Sequence, residues 1–323
     1  MSPSSPDPWR LPTVERFGAQ LRDLENASRT GSPNPGPGLP RRAVLASSAG
    51  VAAALVAIVL ILTTGRTAQA RSVVNEAPVA AERAGSVRFQ SVLTTSVNGH
   101  RGAGITEQGA IDFTTGAFVT TLRFGNANDV VERRSVGGVL YTAQRRVHPR
   151  PRPARIHWAA TPVQRGTRGA LASESDAFTD PPSVFRALAG IRAPVKQVGH
   201  ENIDGVPSAH YHLRTNLASF LGPSAGYVQN PLAYRRVRAD LDVWIDARGR
   251  PLRVIETFTG PSSSGRAVMT TVVRFTGYGR PVSVMAPASG DIKSSKGTAP
   301  PNPLAAGPGA GLARQLFFQP SGR

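Results

Sequence analysis

From Val87 onward the side chains alternate in character with a period of two, and this repetition constrains the fold more than any other feature. Val87, Phe89, Leu93 and Val97 alternate with Arg88, Gln90, Thr94 and Asn98, as in a strand with one face buried and the other wet. Similar runs follow at Ile105 to Phe113, Ala117 to Phe124, Val130 to Ser135, Val139 to Ala143, Ile156 to Thr161 and Val195 to His200. Further ones occupy Ala209 to Thr215, Ala239 to Asp246, Leu252 to Phe258 and Val268 to Phe275. Thr115-Gly116, Gly137-Gly138 and Ala247-Arg248-Gly249 join several of them, so neighbouring runs should pair as hairpins. The expectation is one large antiparallel sheet.

One face of that sheet must be covered. Leu241, Val243 and Ile245 point one way, and Asp240, Asp242, Trp244 and Asp246 point the other, onto what reads as a solvated outer face. Two helices are legible. One runs from Ser72 to Ala84; in the other Asp180 caps, Pro181 and Pro182 open the first turn, and Val184, Phe185, Leu188 and Ile191 form an apolar stripe. Leu217 to Arg236 reads as helix or loop. So few helices leave part of the apolar face to line a cavity. Its expected lining is Phe89, Leu93, Phe113, Leu122, Phe185, Leu188, Leu241, Val243, Ile245 and Val254.

Ahead of this domain, residues 1–42 are rich in Ser, Pro and Gly, with Leu11, Val14, Phe17, Leu21 and Leu24 at helical spacing. That stretch reads as a marginal amphipathic helix in a disordered tail, or as a docking element for a cytoplasmic partner. From Ala43 to Leu62 twenty residues carry no charge. At about 1.5 Å per residue they span a hydrocarbon core of about 30 Å. Arg41-Arg42 and Ala68-Gln69-Ala70 fit a cleaved signal. The length of the run and its late start favour a retained anchor, residues 43–63. Arg22, Arg29, Arg41 and Arg42 before the span, against Arg66, Arg71 and Arg83 after it, place the N-terminus inside. The exported domain then covers 72–290. Residues 291–323, and already the Pro- and Gly-rich chain from Ala288, read as a disordered tail.

Chemistry is harder to find. With no cysteine, the chain has no disulfide, thiolate metal site or Cys nucleophile, and no GxSxG, HExxH, Walker or dinucleotide motif is present. The glycines from Gly99 to Gly104 read as a hairpin turn. His210 and His212 share a strand face and could chelate a metal, but no acidic third ligand stands at motif spacing. No catalytic residue, metal or cofactor is expected. A formal net charge of +18, nearly all of it arginine, predicts attraction to polyanions. Arg145 to Arg168 carries seven arginines interrupted by Pro149, Pro151 and Pro153. It reads as an extended surface loop, with Arg150, Arg152 and Arg155 as candidate contacts to anionic membrane lipid rather than to nucleic acid.

Three stretches carry a family resemblance: VGHENIDGVPSAHYHLRTNL (198–217), DLDVWIDARGRPLRVIETF (240–258) and VVRFTGYGRPVSVMAPA (272–288). With Val139-Leu140-Tyr141 and His157-Trp158, they resemble the LolA-like envelope proteins, in particular the actinobacterial LppX and LprG lipoproteins. The resemblance implies an α+β fold in which a curved, half-barrel antiparallel sheet is covered on its concave face by helices, here preceded by one transmembrane helix. It also implies a cavity for a lipid or lipoprotein ligand. A related group, RseB-like, senses envelope stress for an anti-sigma factor, which is the alternative role. The chain departs from the lipoproteins in lacking their lipobox cysteine, so a tethered binder is expected rather than a diffusing carrier.

Overall fold

The computed structural model describes residues 67–102, 104–125, 129–146, 156–162, 181–221, 235–262 and 264–293. The tail helix, the run Ala43 to Leu62, the cap Asp180 and the arginines Arg150, Arg152 and Arg155 lie outside them. No helix among the described residues is long and apolar enough to cross a membrane.

Helix α1 (residues 67–83) leads into β1 (Ser86–Val97). The first meander continues with β2 (His100–Arg101), β3 (Ile105–Asp112), β4 (Ala117–Phe124), β5 (Asp129–Val136), β6 (Val139–Arg146) and β7 (Trp158–Pro162). Helix α2 (Pro181–Ala189) separates it from a second meander, β8 (Val195–Ile203), β9 (Val206–Asn216), β10 (Arg238–Asp246), β11 (Pro251–Ser262) and β12 (Gly265–Thr276). Helix α3 (Leu217–Leu221) follows β9, and β13 (Ile292–Lys293) ends the described chain. The two meanders meet where β1 pairs with β12, giving the order β13-β7-β6-β5-β4-β3-β1-β12-β11-β10-β9-β8, with β2 on β1.

Turn chemistry sets the register. Asn98-Gly99, Gly137-Gly138 and Asp204-Gly205 all have positive φ at both positions, as a two-residue hairpin turn matched to strand twist requires. The IDGVP stretch is therefore a β8–β9 hairpin. At the β3–β4 turn Asp112 accepts from the amides of Thr114 and Thr115. The Thr115 hydroxyl, with those amides, holds its carboxyl below the usual range. The sheet is antiparallel except where β13 runs parallel to β7, pairing Ile292 with Trp158. Chain that reads as tail from Ala288 thus supplies an edge strand. Its approach is fixed as Arg88 and Arg134 donate to the carbonyls of Pro281 and Met285.

One sheet face is covered as expected. Ala70, Val74, Ala77 and Ala81 of α1, spaced on one stripe, and Val184, Phe185 and Leu188 of α2 pack on Phe89, Leu213, Val254, Val273 and Phe275. The sheet curves round these helices. Gly109 on β3 is what lets the Phe89 ring lie flat against the backbone, because a Cβ there would stand 2.7 Å from the ring tip and would strike the Val119 carbonyl. Gly109→Ala should therefore destabilise the domain by about 1–3 kcal/mol, as overpacking does elsewhere. An unchanged urea midpoint would show that Phe89 has room to yield.

Candidate functional site

Where α1, α2 and the β3–β4 hairpin meet, the helical cover stops short of the sheet and leaves an open cleft of about 360 Å³. Ile111, Phe113 and Phe118 form its sheet wall, Phe185 and Ala189 its α2 wall, and Pro78 and Glu82 its α1 rim. Phe185 is held in place. Its ring meets Phe113 edge-on at 5.4 Å and Phe275 at 4.9 Å, so the aromatic wall is preorganised. A second cleft of about 710 Å³ lies between the start of α1 and the edge strand β8, lined by Ala70, Val73, Val195, Gln197 and Tyr211 among others. Burial pushes the Tyr211 phenol up, so it stays a neutral hydrogen-bonding group. Both volumes fall within the roughly 300–1,000 Å³ of small-molecule sites. The sheet and α2 walls of the first cleft are apolar, with Glu82 and Thr114 at its edge, which suits retention of a hydrocarbon portion, whereas the second mixes apolar side chains with Thr67, Gln69, Lys196, Gln197 and Tyr211.

Of the ten expected cavity residues, Phe113 and Phe185 line the first cleft. Phe89, Leu188, Leu241, Val243, Ile245 and Val254 lie in the same apolar cluster, fully packed beneath the helices. Leu93 belongs to a second cluster with Phe258 and Met269, and Leu122 packs with Val131. The clefts also use residues the sequence did not single out, chiefly Ile111, Phe118, Val195 and Tyr211. Ile111 and Phe113 do stand two apart on one strand face. Which end of that face would meet a helix was not visible from spacing.

On β10 the reading of a solvated outer face needs correction. Trp244 and Asp246 are only 4% and 6% exposed. The indole is sandwiched between the His210 ring, stacked at 4.2 Å, and the Arg253 guanidinium at 3.9 Å. Asp246 organises the following turn, accepting from the amides of Arg248 and Arg250 and from the Arg250 guanidinium. The outer face is thus sealed by polar side chains stacked across strands.

The same face pairs its histidines with acids. Asp242 Oδ1 lies 2.8 Å from His210 Nε2 and 3.0 Å from His212 Nδ1, while His210 Nδ1 is 3.3 Å from Glu201. These acids come from adjacent strands, so no linear spacing could reveal them. Among the described residues no group of three or more such side chains could hold a metal ion. Next along β10, Asp240 is bound by Arg214 and Arg238, each at 2.6 Å. Partial burial opposes ionisation there, and the two guanidiniums outweigh it, holding the carboxyl below its usual range. None of these side chains lines either cleft.

No family model and no curated protein matches the chain. Solved structures do align with it. LprF from Mycobacterium bovis matches at 11% identity over 69% of this chain and 99% of its own, with a TM-score of 0.42. The Mycobacterium tuberculosis lipoprotein LppX matches at 14% identity over 67% and 98%, with a TM-score of 0.40. A LolA superfamily protein from Nitrosomonas europaea aligns at 11% identity over 64% and 91%, with a TM-score of 0.24.

Proposed function

We propose that this chain is a non-catalytic, membrane-anchored protein of the cell envelope whose exported β domain holds an apolar or acyl-chain ligand, a lipid or lipoprotein, between its helices and the sheet. The observation that carries the reading is the open cleft walled by Ile111, Phe113, Phe118 and Phe185. Aromatic and aliphatic side chains left facing an open cleft cost free energy in water, and an acyl chain removes that cost. The alternation that produces a one-sided sheet, and the LolA-like stretches on β8 to β12, support the same reading. Ala43 to Leu62 supplies the anchor, with residues 1–42 cytoplasmic and the chain after Arg66 outside.

Three experiments test this. Mass spectrometry of solvent extracts from the purified full-length protein should find lipid in stoichiometric amount. Ala189→Trp, placed on the exposed rim of the cleft, should cut lipid retention by about tenfold, equivalent to ~1.4 kcal/mol, while shifting Tm little. A parent protein without lipid, or an undiminished load in Ala189→Trp, overturns the assignment of this cleft. For topology, protease added to intact cells should remove the domain that follows Arg66. Release of a mature chain beginning at Arg71 would replace the anchor by a cleaved signal.

A further inference from the structure

The aromatic wall of the first cleft lies within reach of an apolar segment of the same chain. Leu312, Leu316, Phe317 and Phe318 fall within seven residues. Residues 294–311, which separate them from β13, are rich in Pro and Gly and hold Leu304 as their one large apolar side chain. That composition suits a spacer, and the cluster beyond it suits a segment that is covered.

The register of the sheet shows where the spacer starts. β13 runs parallel to β7, with Ile292 beside Trp158 and Lys293 beside Ala159. From Ala159 the same row continues to Thr142 on β6, Arg133 on β5 and Thr120 on β4. Two residues further along β7, Thr161 shares its row with Leu140, Ser135 and Phe118. β13 therefore points toward the end of the sheet that carries Phe118 and the β3–β4 hairpin. Four strand spacings of about 4.8 Å and two residues of about 3.3 Å put Lys293 roughly 20 Å from Phe118 along the sheet. A Gly-rich chain as long as residues 294–311 has an r.m.s. end-to-end distance of about 23 Å. Span and reach match, the condition under which a tether gives its highest effective concentration, on the order of millimolar.

The two surfaces also match in chemistry. Phe113 and Phe118 are half-buried in the cleft wall, with Ile111 and Phe185 behind them, and aromatic rings pack on such walls edge-on or offset. Glu82 stands exposed on the α1 rim. Arg314 lies between Leu312 and Leu316, so the segment brings a cation to a rim that carries an anion. We infer that residues 312–318 dock in this cleft as an intramolecular occupant, Phe317 and Phe318 against Phe113 and Phe118, with Arg314 toward Glu82. Combined with the lipid-binding reading, on which this further step rests, an acyl chain enters the cleft by displacing a tethered competitor.

The lack of cysteine in the chain makes the test direct. Ala189→Cys places one thiol on the exposed cleft rim, and Gln315→Cys places another in the segment without touching its apolar residues. As control, Gln315→Cys is combined with Val206→Cys, 40% exposed at the β8–β9 turn. Full-length, delipidated protein is oxidised with diamide at low protein concentration, and the intramolecular disulfide is followed in time by mass spectrometry. The Ala189 pair should close at least about tenfold faster than the Val206 pair. Adding Phe317→Ala and Phe318→Ala should bring the two rates together, and methyl palmitate should slow the Ala189 pair alone. Equal rates in the two pairs, as when the segment sits in a membrane or on another copy, overturn the docking. So does a preference that survives loss of both phenylalanines. Selective closure that methyl palmitate does not slow keeps the docking and removes the acyl ligand from this cleft.

Discussion

Glu256→Gln should raise the stability of the domain at pH 8 by up to about 3 kcal/mol and leave it nearly unchanged at pH 4. The carboxyl is pushed by burial from an ordinary 4.5 up to about 7 in the folded protein. Below pH 4.5 both folded and unfolded chains hold the proton, so the group contributes nothing to pH dependence. Between 4.5 and 7 the unfolded chain releases it while the folded chain retains it, and stability falls as pH rises. Above 7 both are ionised and the loss is complete. Gln mimics the protonated acid, so its chain escapes this fall. Urea midpoints of parent and variant at pH 4, 6 and 8 isolate the term by difference, since every other group is common to both. Parallel curves across that range would mean that solvent or a permanent cation reaches the carboxyl after all.

Glu256 also shows where sequence reasoning reaches and where it stops. In Leu252 to Phe258 the alternation identifies a strand and even the parity of Glu256, which shares a face with Val254 and Phe258. A carboxyl on an apolar face is a conflict that a period-two pattern can register but not resolve, because its meaning depends on what stands opposite on β12. The sheet itself was legible for a local reason: hairpin turns such as Gly137-Gly138 and Asp204-Gly205 declare their backbone conformation in residue type. The stripes of α1 and α2 were legible through their 3.6-residue spacing. Cross-strand facts were not. Asp242 reaches His210 and His212 only because β9 and β10 lie in register, and Trp244 is buried on a nominally polar face because His210 and Arg253 close over it. The short β13 could not be read either, since two residues of parallel pairing leave no periodicity.

The buried ion pair on the other half of the helix-covered face carries the second large expected effect. Arg133 on β5 reaches across β4 to Glu107 on β3, with Nη2 to Oε1 at 2.9 Å and both side chains under 5% exposed. Its Nε donates to Thr120 Oγ1 at 3.3 Å, two residues along β4 from Phe118 of the cleft wall. Arg133→Met should destabilise the domain by about 3–5 kcal/mol, because it removes the guanidinium from which the buried Glu107 Oε1 accepts. Replacing both partners, Arg133→Met with Glu107→Leu, should recover most of that loss and end within about 1–2 kcal/mol of the parent, since matched apolar groups carry no desolvation penalty. Chemical unfolding of the parent, both single variants and the double variant closes the cycle, and a coupling of about 2 kcal/mol or more is expected. Additive losses with no coupling would mean that each group is satisfied separately. The pair would then be two independent polar contacts rather than one electrostatic unit bracing the cleft wall beside Phe118.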